Sequence, residues 1–77
     1  MENKTPSEAL GLSLREHRTT AGYGVRELAA AMDVSSTVVS QMERGRRCTP
    51  ENVELFARTI KVSPSKIIRR AEAICKA

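Results

Sequence analysis

The chain has 77 residues and a formal charge of +4, from thirteen basic and nine acidic side chains. That length admits one domain, spanning 1–77, and leaves no room for a second core or a separate catalytic or sensing domain. The apolar 40% is mostly Ala, Val, Leu and Ile, with one Phe, one Tyr and no Trp, a composition suited to small packed helices and poor in faces for stacking single-stranded bases.

Cys48 and Cys75 are the two cysteines and His17 the one histidine. No CxxC or clustered metal-ligand spacing occurs, so reduced thiols and no metal or other cofactor are expected. His17 reads as a surface residue without a convergent nucleophile or acid, which argues against an enzyme. No basic-then-apolar leader is visible, and no apolar run approaches the roughly 20 residues that span a bilayer. A cytoplasmic, nucleoid-associated protein is expected.

Residues 1–4 read as a frayed start. Thr5-Pro6-Ser7-Glu8 then combines a cap, a proline at the first helical position and an acid placed for a capping box. Leu10, Leu14 and Arg18 recur on one side of this first helix, and Gly22 ends it. A second helix is expected at about 25–32, burying Leu28, Ala29 and Met32. Val34 turns inward, Ser35 is placed to cap a third helix near 36–43, and Gly45 ends that helix. Thr49-Pro50 opens a fourth, with Val53, Phe56, Ala57 and Ile60 at helical spacing. Ser63-Pro64 repeats the signal for a fifth at about 64–76, carrying Ile67, Ile68, Ala71 and Ile74. No run alternates like a strand. The expected fold is all-α: a compact five-helix domain.

The stretch 25–47, VRELAAAMDVSSTVVSQMERGRR, sets two short helices around a tight corner and follows them with three arginines. Val39 and Met42 face inward, leaving Ser36, Thr37, Ser40 and Gln41 to look outward. Small hydroxyls let a helix backbone come close to a duplex, and Gln bonds bidentately to the adenine edge in the major groove. Arg44, Arg46 and Arg47 are placed to grip phosphates beside that groove, and the unpaired amides at helix N-termini, Val25 among them, favour an anion. Taken singly, each of these residues has a blander reading. Ser35 serves as a cap, Ser36 and Thr37 are tolerated in a first turn, and Val38 either meets a thymine methyl or completes the hydrophobic rim. Arg15 and Arg26 stay unassigned between solvent and phosphate.

These residues form a pattern. Glu27-Leu28-Ala29, Val34-Ser35, Val39-Ser40, Glu43 and Gly45, with Pro50, Phe56-Ala57, Ile60 and Val62-Ser63 downstream, resemble the Cro/phage-repressor (XRE) type of helix-turn-helix domain. The resemblance runs from about Leu10 to Ile68. It implies a lambda-repressor-like five-helix fold with the helix-turn-helix at about 25–44. It also implies base contacts from Ser36, Thr37, Ser40 and Gln41, and phosphate contacts from Arg44 and Arg46. Val25 stands where such proteins commonly carry Gln, which leaves only its backbone N–H for DNA. Asp33 stands where the corner is usually Gly. Glu43 and Arg18 match a structural ion pair.

A single domain of this size covers few base pairs, so a homodimer on an inverted repeat of duplex DNA is expected. The fifth helix is the expected interface, with Ile67 or Ile68 in the core and Ala71, Ile74 and Cys75 facing a second copy. The expected function is a repressor that blocks RNA polymerase at an operator, controlled by its concentration or by an antagonist protein, with no small-molecule ligand. A DNA-binding antitoxin and a protein-interaction module are the competing readings.

Overall fold

The computed structural model describes residues 4–76, so part of the expected frayed start, residues 1–3, lies outside the described residues. Five helices follow in order: α1 (Pro6–Thr20), α2 (Val25–Met32), α3 (Ser36–Glu43), α4 (Pro50–Thr59) and α5 (Pro64–Lys76). The architecture is all-α, with α2 and α3 forming a helix-turn-helix.

Helix starts follow local chemistry. Thr5 Oγ1 accepts from the Glu8 amide at 3.2 Å while Glu8 Oε1 accepts from the Thr5 amide at 3.0 Å, closing a capping box. Thr49 Oγ1 accepts from the Asn52 amide at 3.2 Å at the start of α4. Ser35 differs from its expected role. It sits at the cap position of α3, but its hydroxyl makes no cap hydrogen bond, so α3 depends on packing for its start. Ser63 Oγ likewise pairs with Ser65 Oγ at 2.7 Å.

The four helix ends share one device. After α1, α2, α3 and α4 the chain enters the left-handed region at Gly22, Asp33, Gly45 and Lys61. In each case that residue's amide reaches back three residues and the next amide five: Tyr23 to Arg18, Val34 to Ala29, Arg46 to Gln41 and Val62 to Ala57. This is the Schellman arrangement, in which the residue after the left-handed position usually packs inward. Tyr23, Val34 and Val62 do pack against the core. Arg46, after α3, is exposed.

α1 packs on α5 and α3, α2 on α3 and α4, and α4 on α5. Leu14, Leu28, Val39, Met42, Phe56 and Ile67 meet in the centre, all fully buried. Each such side chain stabilises the fold by about 1.5–3 kcal/mol relative to exposure. Ser13 is buried among them and satisfied, its hydroxyl donating to the Ile67 carbonyl at 2.7 Å across α1 and α5. Of the two adjacent isoleucines, Ile67 is the core member, while Ile68 is 46% exposed. Gly11 brings α1 against the end of α3: a Cβ there would lie 2.5 Å from the Glu43 carbonyl oxygen.

Candidate nucleic-acid interface

α3 has two unlike faces. Val39 and Met42 are fully buried against the core, and Val38 is partly buried against it. At 100° per residue, Thr37 and Gln41 lie on nearly the same line, opposite Val39, and Arg44 continues that line past the helix end. Thr37 and Arg44 are exposed and Gln41 half-buried, with Ser36 and Ser40 half-buried along one flank. The structure therefore places the four small polar residues of α3 and the first arginine on one continuous surface. The side-chain carbonyl of Gln41 is buried with no hydrogen-bond partner in the chain, an acceptor that costs about 1–3 kcal/mol while unsatisfied.

The segment after α3 is held at several points. Gly45 N donates to the Met42 carbonyl at 3.0 Å and Arg46 N to that of Gln41 at 2.8 Å. Asn52 Nδ2 donates to the Arg47 carbonyl at 2.8 Å, and Cys48 Sγ donates to the Met42 carbonyl at 3.3 Å. Burial pushes the Cys48 thiol up, which keeps it a protonated donor. Arg44, Arg46 and Arg47 all project to solvent from this braced loop, and Arg47 itself has φ +55°. Asn52 and Cys48 were not singled out by the sequence reading. The one local signal for the loop was an arginine in the position that normally follows a left-handed glycine with an apolar side chain.

The end of α3 is anchored from α1. Arg18 Nε donates to Glu43 Oε2 at 2.5 Å and Arg18 Nη2 to Glu43 Oε1 at 3.1 Å, while Arg18 Nη1 donates to the Tyr23 carbonyl at 2.8 Å. Both side chains are 10% exposed. A two-pronged, nearly dry ion pair of this kind fixes orientation as well as distance.

At the start of α2, Leu28 N is the first to donate into the helix, to the Gly24 carbonyl at 2.9 Å. The amides of Val25, Arg26 and Glu27 have no acceptor within the helix. The Val25 side chain packs on the core. Glu27 Oε1 accepts from the Gly24 amide at 3.0 Å, so one carboxylate already sits at this helix end beside the exposed Arg26.

The residues expected at a dimer interface separate. Ala71 is only 8% exposed and is used within the chain. Ile74 and Cys75 are half-buried, and Cys75 Sγ donates to the Lys4 carbonyl at 3.2 Å. His17 is half-buried with Nδ1 2.8 Å from the Ser13 carbonyl, and the neighbouring Glu16 pairs with Arg70 of α5. Among the described residues, no group of three His, Cys, Asp or Glu side chains is placed to hold a metal ion. Nor is any helix there long and apolar enough to cross a membrane.

The family model described as "Helix-turn-helix domain" matches residues 9–67. The crystal structure of ClgR, the clp gene regulator of Corynebacterium glutamicum, superposes with a TM-score of 0.88 at 31% identity, covering 96% of each chain. A second ClgR crystal structure gives 0.85 at 32% identity, covering 94% of this chain and 78% of the other. No curated protein matches. The chain thus belongs to the helix-turn-helix domain family, as a DNA-binding regulatory domain related to the Cro/XRE-like members and sharing the fold of ClgR.

Proposed function

We propose that this chain is a homodimeric transcriptional repressor that binds an inverted-repeat operator in duplex DNA with α3 in the major groove. The observation that carries the reading is the outward line Thr37, Gln41, Arg44 on a helix whose opposite face, Val39 and Met42, is fully buried. In this reading Ser36, Thr37, Ser40 and Gln41 meet base edges, and Arg44, Arg46 and Arg47 neutralise phosphates along the groove's edge. The Val25 amide meets a phosphate at the start of α2. Reaching a base would also take the Gln41 carbonyl out of the site where it has no partner. The likeness to a protein described as a gene regulator supports a role in transcription. Occupying an operator would repress by excluding RNA polymerase, and an antagonist protein would act by competing for the chain.

Selection from a random duplex library at about 0.15 M salt, with the mass of the selected complex measured, tests this reading. The expected result is an enriched inverted repeat, its half-sites about one helical turn (34–36 Å) apart, carrying two chains. Folded protein that enriches no sequence would overturn it in favour of a protein-interaction module.

A further inference from the structure

We propose that the apolar groove formed by α1, α4 and α5 around Ile68 is the surface on which a second copy of this chain docks. The inference rests on the dimeric reading above. It moves the contact from the C-terminal end of α5 to a surface built by three helices.

Ile68 is the large hydrophobic side chain left exposed among the described residues. It does not stand alone. One cleft runs from Ile68 and Leu10 toward α4, over Val53, Val62 and Pro50. A second runs from the same two residues along α5 toward Cys75. Because Leu10 and Ile68 line both, the two clefts form one continuous apolar surface, the kind that marks a binding face.

The charges around it favour a copy of the chain over another partner. Glu54 and Arg58 border the groove on α4, and Glu72 and Lys76 border it on α5. Two acids and two bases balance here, although the whole chain carries +4. A balanced rim attracts neither a polyanion nor a strongly charged protein. It does fit an isologous contact, in which the acid of each copy meets the base of the other. Among the described residues, neither Glu72 nor Lys76 has an ion-pair partner within the chain.

Position gives a second argument. No residue of α2 or α3 lines the groove, so a docked copy leaves the helix-turn-helix free. Yet Cys48 and Pro50 bring the groove's edge to the residues directly after Arg46 and Arg47. A copy seated there sets the two arginine loops on either side of one two-fold axis, where they face the middle of an inverted repeat.

Sedimentation velocity of the full chain over a concentration series tests the placement, with circular dichroism confirming that each variant is folded. The wild type is expected to dimerise. Ile68→Asp should weaken the dimer at least about tenfold, as expected for loss of a central anchor, and Ile74→Asp should not. Lys76→Glu should weaken it as well, and adding Glu72→Lys should restore it, because the exchanged charges again pair across the axis. A dimer that survives Ile68→Asp overturns this placement, whether or not Ile74→Asp dissociates it, and leaves the dimeric reading intact. A wild type that stays monomeric both free and on an inverted-repeat duplex overturns the dimeric reading itself.

Discussion

Gly11 on α1 and Gly45 after α3 meet backbone to backbone, with no room for a side chain on either. A Cβ on Gly11 would lie 2.7 Å from the Gly45 nitrogen, and one on Gly45 would lie 2.6 Å from the Ser7 carbonyl oxygen. Backbone cannot rotate aside as a flexible side chain can, so one added methyl must separate the two segments. Gly11→Ala is expected to cost about 1–3 kcal/mol, the range for overpacking a tight contact, although Ala is the better helix former. Thermal unfolding checks this. An unchanged or raised midpoint would show that the crossing is looser than its geometry.

The neighbouring Arg18–Glu43 pair holds the same junction by charge. Removing one partner strands the other in a nearly dry site, so Arg18→Met and Glu43→Gln should each cost about 3–5 kcal/mol. The double variant Arg18→Met/Glu43→Leu should cost clearly less than the sum, because it strands no charge. Urea denaturation of all three variants measures the coupling. Additive losses would mean that the two side chains contribute separately.

The helices were legible because their signals are local. Thr5, Pro6 and Glu8 announce α1 within four positions, and Thr49-Pro50 does the same for α4. What stayed hidden depends on partners far along the chain. Gly11 looks like a weak point inside a helix until Gly45 is set against it. Neither Ile67 nor Ile68 carries a mark of burial; their places follow from how α5 lies on α1. Ala71 reads as part of an exposed stripe, yet α1 already covers that turn. In the candidate site, the polar residues of α3 could be named from their register against Val39 and Met42. The braces from Asn52 and Cys48 could not, because both form only once the loop has closed.

Two of the four left-handed helix ends are not glycine, and this invites a stability test. A side chain in that conformation costs about 1–2 kcal/mol. Lys61→Gly should therefore stabilise the fold by up to about 1 kcal/mol, the remainder being offset by the greater freedom of unfolded glycine. Gly22→Ala tests the same term in the other direction, since a Cβ there would meet nothing within 4 Å. It should cost about 1 kcal/mol through the backbone alone. If Lys61→Gly destabilises, its side chain makes a contribution larger than the conformational cost.

Acid should loosen the contact between α1 and α5. The Arg70 guanidinium, bonded to both Glu16 carboxylate oxygens at 2.9 and 3.3 Å, holds the Glu16 carboxyl below the usual carboxylate range. A carboxylate depressed in the folded state stabilises above its unfolded value, about 4.3, and the contribution disappears as pH falls through the lowered one. Both side chains are about half exposed, so the effect is small, below about 1 kcal/mol. Glu16→Gln should flatten the loss of stability below pH about 4.3, and high salt should reduce the difference between the proteins. An unchanged acid profile would remove the pair from the set of contacts that hold α5.

Gln41 and Arg46 separate the two kinds of DNA contact that the proposed function requires. Gln41 lies on the outward line of α3, whereas Arg46 projects from the loop whose backbone is tied to the Gln41 carbonyl at 2.8 Å. A base contact carries sequence information and a phosphate contact does not. Gln41→Ala should weaken binding to the selected operator by about 1–3 kcal/mol and leave binding to random duplex nearly unchanged. Arg46→Ala should weaken both and lower the slope of log affinity against log salt by about one unit per chain, one fewer counterion being released. Equal losses on operator and random duplex for Gln41→Ala would remove it from base reading, and an unchanged salt slope for Arg46→Ala would remove that arginine from the phosphate contacts. The bond between the two residues runs through the backbone and survives both substitutions. A change of sequence preference in Arg46→Ala would therefore mean that the arginine itself reaches into the groove.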